Sequence, residues 1–201
     1  GVETDIGYTG LKFKPDFVWM KSRQATATQI LIDSVRGAYK QLSSNGSDQQ
    51  YDISPYGLSS FNSNGFTVAD VTNGGYGVNG APGQTYTGTN AEYVGWAWKV
   101  GGAPIATNTA SSGAMDANSV SLDGSLESAY TPSGSPTIYP DKMSINTKTA
   151  ISIVTYTGNN TQNATVPHGL GIEPKLVLIK RIDVANAWWA PLPILGSNKY
   201  C

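Results

Sequence analysis

Apolar residues along this chain occur in short runs bounded by turn residues, which is the pattern of β-strands. The run Phe17 to Met20 follows Pro15 and ends at Lys21. A proline fixes φ and donates no ladder hydrogen bond, so it suits the start of a strand, and a terminal lysine can reach solvent. A second run, Gln29 to Asp33, follows a short polar gap, and the two runs together predict a hairpin.

Further strands are predicted as far as residue 99. Asn64-Gly65 lies between Phe61 and Phe66, and an Asn-Gly turn flanked by alternating apolar residues is a strong hairpin signal. Between Glu92 and Lys99, bulky and smaller residues alternate, so one face of this strand is apolar and we expect it in the core. No stretch shows helical periodicity with caps. About six short strands before residue 100 predict an all-β, two-layer antiparallel β-sandwich.

The first predicted strand belongs to a sequence repeat. Gly10 to Lys21 recurs as Gly169 to Lys180, with Gly, Leu, Pro, Val and Lys in register. Such self-similarity predicts two copies of one structural unit, the second opening as a hairpin with the Trp188-Trp189 segment. A strand at 150–156 leads into the second copy. We expect an equivalent strand before Gly1, and we interpret the chain as a fragment of a longer polypeptide or as one whose remainder is not resolved.

These patterns predict three regions. Residues 1–104 form a first β-sandwich module without its N-terminal strand. Residues 105–149 are rich in Ser, Thr, Asn and Gly, which predicts a connector that lies on the protein surface. Within it, Val120 to Leu122 alternates as an edge strand would. Residues 150–201 form an incomplete second β-sandwich module.

Composition narrows the classes of partner. Thirteen basic and 14 acidic residues give a net charge of −1, so no basic stripe is present for a phosphate backbone, and nucleic acid is not expected as a ligand. The single cysteine, Cys201, leaves no internal disulfide framework and no cysteine-based zinc site. No apolar run has the length of a membrane span and no signal peptide is evident, so we expect no membrane insertion.

Three sequence features resemble parts of known active or binding sites, but for each of them we favour a purely structural interpretation. Gly75 to Gly80 matches G-x-G-x-x-G, but Ala81-Pro82-Gly83 follows where a helix should begin, so a surface loop is expected. His168 is the only histidine and precedes the Gly169 turn, where a turn role is favoured over a catalytic base. The acids are dispersed, and the repeat places Leu192 opposite Asp33. We therefore predict no enzyme, no catalytic residue, no metal ligands and no cofactor.

Aromatic residues offer the one candidate binding chemistry. Five tryptophans and 11 tyrosines could stack on sugar rings. Trp19, Trp96 and Trp98 lie in strand patterns and are expected in the core. Trp188 and Trp189 are adjacent, so at most one of them faces inward. The candidate glycan contacts are Tyr76, Asn79, Trp188 and Trp189.

The repeated phrase resembles modules in large structural proteins of tailed phages, especially those infecting marine cyanobacteria. The resemblance rests on Ser152 to Asn159, on Pro167 to Lys175, on Phe61 to Phe66 and on Lys142 to Thr149. It implies jelly-roll modules of the concanavalin type in tail fibres or tail-associated proteins. The chain departs from that pattern at Ala190 to Pro193, where a continuous strand is expected.

The resemblance implies a non-enzymatic virion protein, on a phage tail or particle surface, that serves adhesion or assembly as a homo-oligomer. Its expected partners are copies of itself and other virion proteins, with a host surface glycan as a further candidate. One alternative is a carbohydrate-binding module, or a degraded polysaccharide hydrolase, of the same fold. Another is a capsid decoration protein.

Overall fold

The structure, a computed structural model, describes residues 6–23, 28–69, 78 and 92–191, with only the backbone of 6–9. These residues form strands, turns and irregular segments and contain no helix, so the all-β prediction is confirmed. The strands are β1 (Ile6–Thr9), β2 (Phe17–Ser22), β3 (Ile30–Asp33), β4 (Lys40–Ser43), β5 (Tyr51–Asp52), β6 (Gly57–Asn62), β7 (Gly65–Ala69), β8 (Tyr93–Trp98), β9 (Val120–Leu122), β10 (Ser125–Leu126), β11 (Pro140–Asn146) and β12 (Ile151–Tyr156). They belong to two compact units. The first takes its described residues from 1–33, 37–98 and 175–201, and the second from 34–36 and 99–174.

Two antiparallel sheets make up the first unit. One has five strands in the order β5-β4-β3-β2-β8, and the other has three in the order β1-β7-β6. Their inner faces share one core, to which β2 and β3 contribute Val18 and Ile32, and β6 and β7 contribute Leu58 and Val68. This arrangement is consistent with a β-sandwich, in which side chains of alternate parity pack between two sheets.

Local sequence explains the strands that were predicted. The strand β2 shows strict alternation of buried and half-buried side chains, as a strand with one core face should. The predicted hairpin after Phe61 is confirmed: β6 and β7 pair Asn62 with Gly65, which leaves Ser63 and Asn64 as the turn. Gly65 itself begins β7.

The second copy of the repeat does not reproduce the strand of the first copy. Residues 17–22 pair with β3 on one side and β8 on the other, whereas 172–180 contribute a single bridge between Ile179 and Trp189. Leu176 and Leu178 are 58% and 55% exposed, so the second copy does not bury this run as the first copy buries Val18 and Met20. An apolar run becomes a buried strand only where neighbouring strands cover it, and among the described residues this run has one bridging partner.

The second unit contains a four-stranded sheet in the order β10-β9-β11-β12. The strand pair β9 and β11 is parallel, and the other two pairs are antiparallel. Its core holds Met115, Val120, Met143, Ile145 and Leu170. The strand predicted at 150–156 is therefore confirmed as β12.

Residues 105–149, predicted as a connector, supply three strands of this sheet. Val120–Leu122 is a strand, but it has neighbours on both sides and is not an edge strand. Asp123 and Gly124, with φ of 51° and 99°, turn the chain from β9 into β10. An Asp-Gly pair with positive φ at both residues is a preferred two-residue hairpin turn.

Candidate binding surfaces

The strands β2 and β8 carry aromatic rings on the face of their sheet that points away from the core. Val18 and Met20 lie in the core, so their neighbours Phe17 and Trp19 must point outward. On β8, a Cβ added at Gly95 would contact Phe66 at 3.8 Å, which puts Gly95 on the core side and Trp96 on the outer side.

Register places these rings opposite one another. Phe17 pairs with Trp98 and Trp19 pairs with Trp96. The Phe17 and Trp98 rings stack with centroids 5.1 Å apart and planes 27° apart, and the Trp19 and Trp96 rings are 5.6 Å apart and tilted by 52°. Trp96 is 46% exposed, so the expectation that this tryptophan lies in the core is wrong. The strand β8 alternates bulky and small residues as predicted, but its bulky face points away from the core.

Charged residues continue the same face beyond the rings. Lys21 pairs with Val94 in the next register position. The Arg23 N–H then donates to the Glu92 carbonyl at 2.8 Å, and the Arg23 guanidinium bonds the Glu92 carboxylate at 3.0 Å. We call the four cross-strand pairs, from Phe17/Trp98 through Trp19/Trp96 and Lys21/Val94 to Arg23/Glu92, the aromatic ladder.

The four predicted glycan contacts differ in their surroundings. Trp188 is half-buried, and its indole N–H donates to the Ser43 carbonyl at 2.7 Å, so its polar atom is used to anchor the chain. Trp189 is 52% exposed, which makes it the outward member of the pair. Tyr76 and Asn79 lie outside the described residues. A role in glycan binding stays a prediction for all four.

His168 lines an open depression of about 480 Å³ in the second unit, together with Tyr130 and Glu173. The imidazole Nδ1 accepts a hydrogen bond from the Leu170 N–H at 3.2 Å, which ties it to its own loop. Burial, and secondarily the charge of Glu127, raises the pKa of the Tyr130 hydroxyl, which keeps it neutral. These contacts fit the turn role predicted for His168.

Carboxylates of the second unit hold loops of their own chain. Asp123 accepts the Thr147 N–H at 2.8 Å and the Thr147 hydroxyl at 2.6 Å. Asp116 accepts the Thr109 N–H at 2.6 Å and the Thr109 hydroxyl at 2.8 Å. These hydrogen bonds lower the pKa of both carboxyl groups, because they favour the charged form.

Two asparagines brace further loops. Asn108 is buried and its amide donates to the carbonyls of Ala110 and Pro140, both at 2.9 Å, while its oxygen accepts the Asp116 N–H at 2.9 Å. The Asn146 oxygen accepts the N–H groups of Lys148 and Thr149 at 3.0 Å each. These side chains are committed to the backbone.

Ion pairs in the first unit lie at its surface. Lys40 bonds Asp52 and, with the Ser54 N–H, lowers the pKa of that carboxyl group. Arg181 bonds Asp183 at 2.7 Å and lowers the pKa of that carboxyl group to about 2. Within 6–23, 28–69 and 92–191, no three His, Cys, Asp or Glu side chains converge as a metal site would require. The same part of the chain holds no helix capable of crossing a membrane.

Comparison of the sequence with family models gives one match. The chain belongs to the family described as Domain of unknown function (DUF7483), which matches residues 1–125 and 128–200. Comparison with curated proteins and with solved structures gives no match.

Proposed function

We propose that this protein is a non-enzymatic structural component of a phage virion, a tail fibre or tail-associated protein that works as a homo-oligomer in adhesion or assembly. The proposal rests on one observation: polar side chains of the second unit form hydrogen bonds with the backbone of that unit. Asp116, Asp123, Asn108 and Asn146 all bond the backbone of their own unit. Loops held in this way suit a structural protein.

The phage assignment is supported by the resemblance of the repeated phrase to virion modules. The family matches two successive stretches, 1–125 and 128–200, which is in keeping with a repeated unit.

The strand β12 offers a surface for contact between copies. It is an edge strand among the described residues, it has no charged residue, and Ile151 to Thr155 are all half-buried. Edge strands are normally protected by lysine, proline or bulges, because an unprotected edge templates pairing with another chain. We assign β12 to strand pairing between two copies of this protein.

Ile153→Lys tests this oligomer contact. A lysine at the centre of β12 should block strand addition, so we expect sedimentation equilibrium to give an oligomer for the unaltered protein and a monomer for the variant. Lys142→Ala, on the neighbouring inner strand β11, is the matched control and should leave the oligomer intact. A monomeric unaltered protein would contradict the assembly role.

The location is tested on the particle. Antibodies against this chain, visualised with gold on purified particles from the source culture, should label tails. Labelling of capsids would favour the decoration alternative. Absence of the chain from purified particles, checked by mass spectrometry, would remove the virion assignment.

A further inference from the structure

We propose that two segments of this protein pair between molecules, and that the run 176–181 of one copy adds as a strand to the edge of β8 in a second copy. The contact is head to tail, because the two surfaces differ from each other. It goes beyond the β12 contact proposed above and does not depend on it, since both segments lie in the first unit and β12 lies in the second.

The outer face of the five-stranded sheet has one exposed end. Register aligns a row of side chains across this face, namely Leu42, Leu31, Trp19 and Trp96. Leu42 and Leu31 are 6% and 5% exposed, and the Trp19 indole nitrogen is buried. Trp96, by contrast, is 46% exposed. Because β8 is the last strand of this sheet in the described part of the chain, a further strand would cover Trp96 from its open side.

The edge of β8 has none of the features that usually prevent strand addition. Tyr93–Trp98 contains no charged residue and no proline, and the nearest charges, Glu92 and Lys99, lie outside it. Its pairing with β2 is regular over the whole strand, without a bulge. An edge of this kind templates pairing with another strand.

The run 176–181 has complementary features. Leu176 and Leu178 are 58% and 55% exposed, and the backbone of 176–178 makes no hydrogen bond to another described residue. Ile179 is bridged to Trp189 on one edge, so the other edge of the run can take a second strand. Exposed apolar residues at neighbouring positions mark an interaction surface.

The sequence repeat indicates which strand this partner is. The counterpart of the run in the first copy is β2, which pairs with β3 on one edge and with β8 on the other. In the second copy, Trp189 provides the bridge on the β3 side, and no described strand lies on the β8 side. A second molecule offers β8, the strand with which this sequence pattern pairs in the first copy.

The register of the repeat places Leu178 beside Trp96. Leu178 has the position that Trp19 has in the first copy, and Trp19 pairs with Trp96. The exposed leucine and the exposed tryptophan then cover each other on the outer face of the extended sheet. The alternate residues of the run point to the opposite face, as Val18 and Met20 do in β2.

The contact is small. One added strand with a few side chains buries much less than the roughly 800 Å² per partner of a standard interface. We therefore expect it in concentrated protein and not in dilute solution. A head-to-tail contact joins each molecule to two others, so successive molecules form rings or filaments.

Disulfide trapping with two separate variants tests this contact. Cys201 is the only cysteine, so Cys201→Ser gives a background without thiols, and Ile153→Lys in that background removes the β12 contact. Chains with Trp96→Cys and chains with Leu178→Cys are mixed at high concentration and oxidised with diamide. Residues directly opposite on paired strands have Cα atoms about 4.5–5.5 Å apart, which a disulfide can span. We expect a covalent dimer in the mixture and none in either variant alone.

Matched variants control for chance collision and for misfolding. Tyr51→Cys replaces Trp96→Cys in the first control, because Tyr51 is exposed on β5 at the opposite edge of the same sheet, and it should give no dimer. Val94→Cys with Lys180→Cys tests the next pair in the same register and leaves Trp96 and Leu178 unchanged. Adding Leu178→Glu to the Lys180→Cys chain should abolish that dimer. Circular dichroism checks that every variant is folded.

The outcomes separate this proposal from the β12 contact. It is overturned if neither mixed pair gives a dimer, or if Tyr51→Cys is trapped as readily as Trp96→Cys. A single chain with both Trp96→Cys and Leu178→Cys that closes its disulfide internally in dilute solution also overturns it, because the segments would then pair within one copy. A mixed dimer, from a protein whose unaltered form sediments as a monomer, supports this contact and contradicts the one at β12.

Discussion

Single residues determine how closely the second unit packs, and the backbone at Gly101 is the most closely packed. A Cβ at this position would lie 2.3 Å from the Ser121 and Ile145 carbonyl oxygens and 2.4 Å from the Ile145 nitrogen. The Gly101 N–H donates to the Ser144 hydroxyl at 3.0 Å, and its carbonyl accepts from the Ser121 hydroxyl at 2.7 Å. The backbone therefore approaches both β9 and β11 as only glycine allows.

Gly101→Ala should destabilise the protein, because the clashing atoms are backbone and cannot move alone. We expect a loss of about 1–3 kcal/mol or more, as for overpacked cores, measured as the free energy of unfolding in urea. Gly158→Ala is the matched control, since a Cβ there would meet nothing within 4 Å and its φ is not positive. Equal stability of the two variants would contradict the packing described here.

Titration of Asp123 should make stability depend on pH. Its folded pKa lies below the ordinary value of 3.8, first through the Thr147 hydroxyl and then through the Thr147 N–H. The carboxylate therefore contributes stability above its unfolded pKa, and this contribution is lost as the pH falls through the lower, folded pKa. We expect the free energy of unfolding to fall less between pH 5 and 2 in Asp123→Asn than in the unaltered protein.

Asp183→Asn provides the control for that titration. Its pKa is lower still, at about 2, but Arg181 is only two residues away and both side chains are more than half exposed. Such a local pair also forms in the unfolded chain, so the pKa is lowered in both states and little linkage to folding results. A pH profile altered by Asp183→Asn and unaltered by Asp123→Asn would refute this assignment.

At the level of elements, the alternation of residue types along the sequence predicted where strands lie, but it did not predict which face of a strand packs against the core. The strands β2, β3, β8 and β12 follow from period-two patterns and flanking turn residues. The parity of β8 was also legible, with Trp96 and Trp98 on one side and Gly95 and Ala97 on the other. What alternation cannot say is which side meets the core.

The aromatic ladder could have been found from β2. Lys21 shares the parity of Phe17 and Trp19 and marks an outward row, whereas Val18 and Met20 form the inward row. Pairing β2 with β8 in register would then have put Trp96 outside. Small residues such as Gly95 and Ala97 face the core because the opposite sheet, at Phe66, comes close.

The β9–β10 hairpin was missed despite a local signal. Ser121-Leu122-Asp123-Gly124-Ser125-Leu126 has an Asp-Gly pair between two alternating segments. Its polar composition led to the interpretation of a connector. Short strands in this unit are stabilised by hydrogen bonds from side chains to the backbone as well as by apolar burial. A polar composition therefore does not exclude strands here.

At the level of the whole molecule, the two units should unfold as separate cooperative transitions, since each has its own buried cluster. Tryptophan distribution makes this testable. The second unit, 34–36 and 99–174, contains no tryptophan. Fluorescence therefore reports on the first unit, and far-ultraviolet circular dichroism on both.

We expect Gly101→Ala to shift the dichroism transition in urea while the midpoint of tryptophan fluorescence stays unchanged. Gly101 lies in the second unit, so its effect should remain there. Coincident shifts in both signals would mean that the molecule unfolds as one cooperative body.

The order of the chain has a consequence for biosynthesis. Residues that brace the 43–50 loop arrive late: Trp188 bonds the Ser43 carbonyl, 145 positions earlier, and Lys180 bonds the Ser47 carbonyl, 133 positions earlier. The intervening residues include β5 to β8 of the first unit and the 99–174 part of the second unit, so all of these leave the ribosome before those bonds can form. The nascent first sandwich therefore emerges with this loop unbraced, and the two bonds form only after Lys180 and Trp188 leave the exit tunnel.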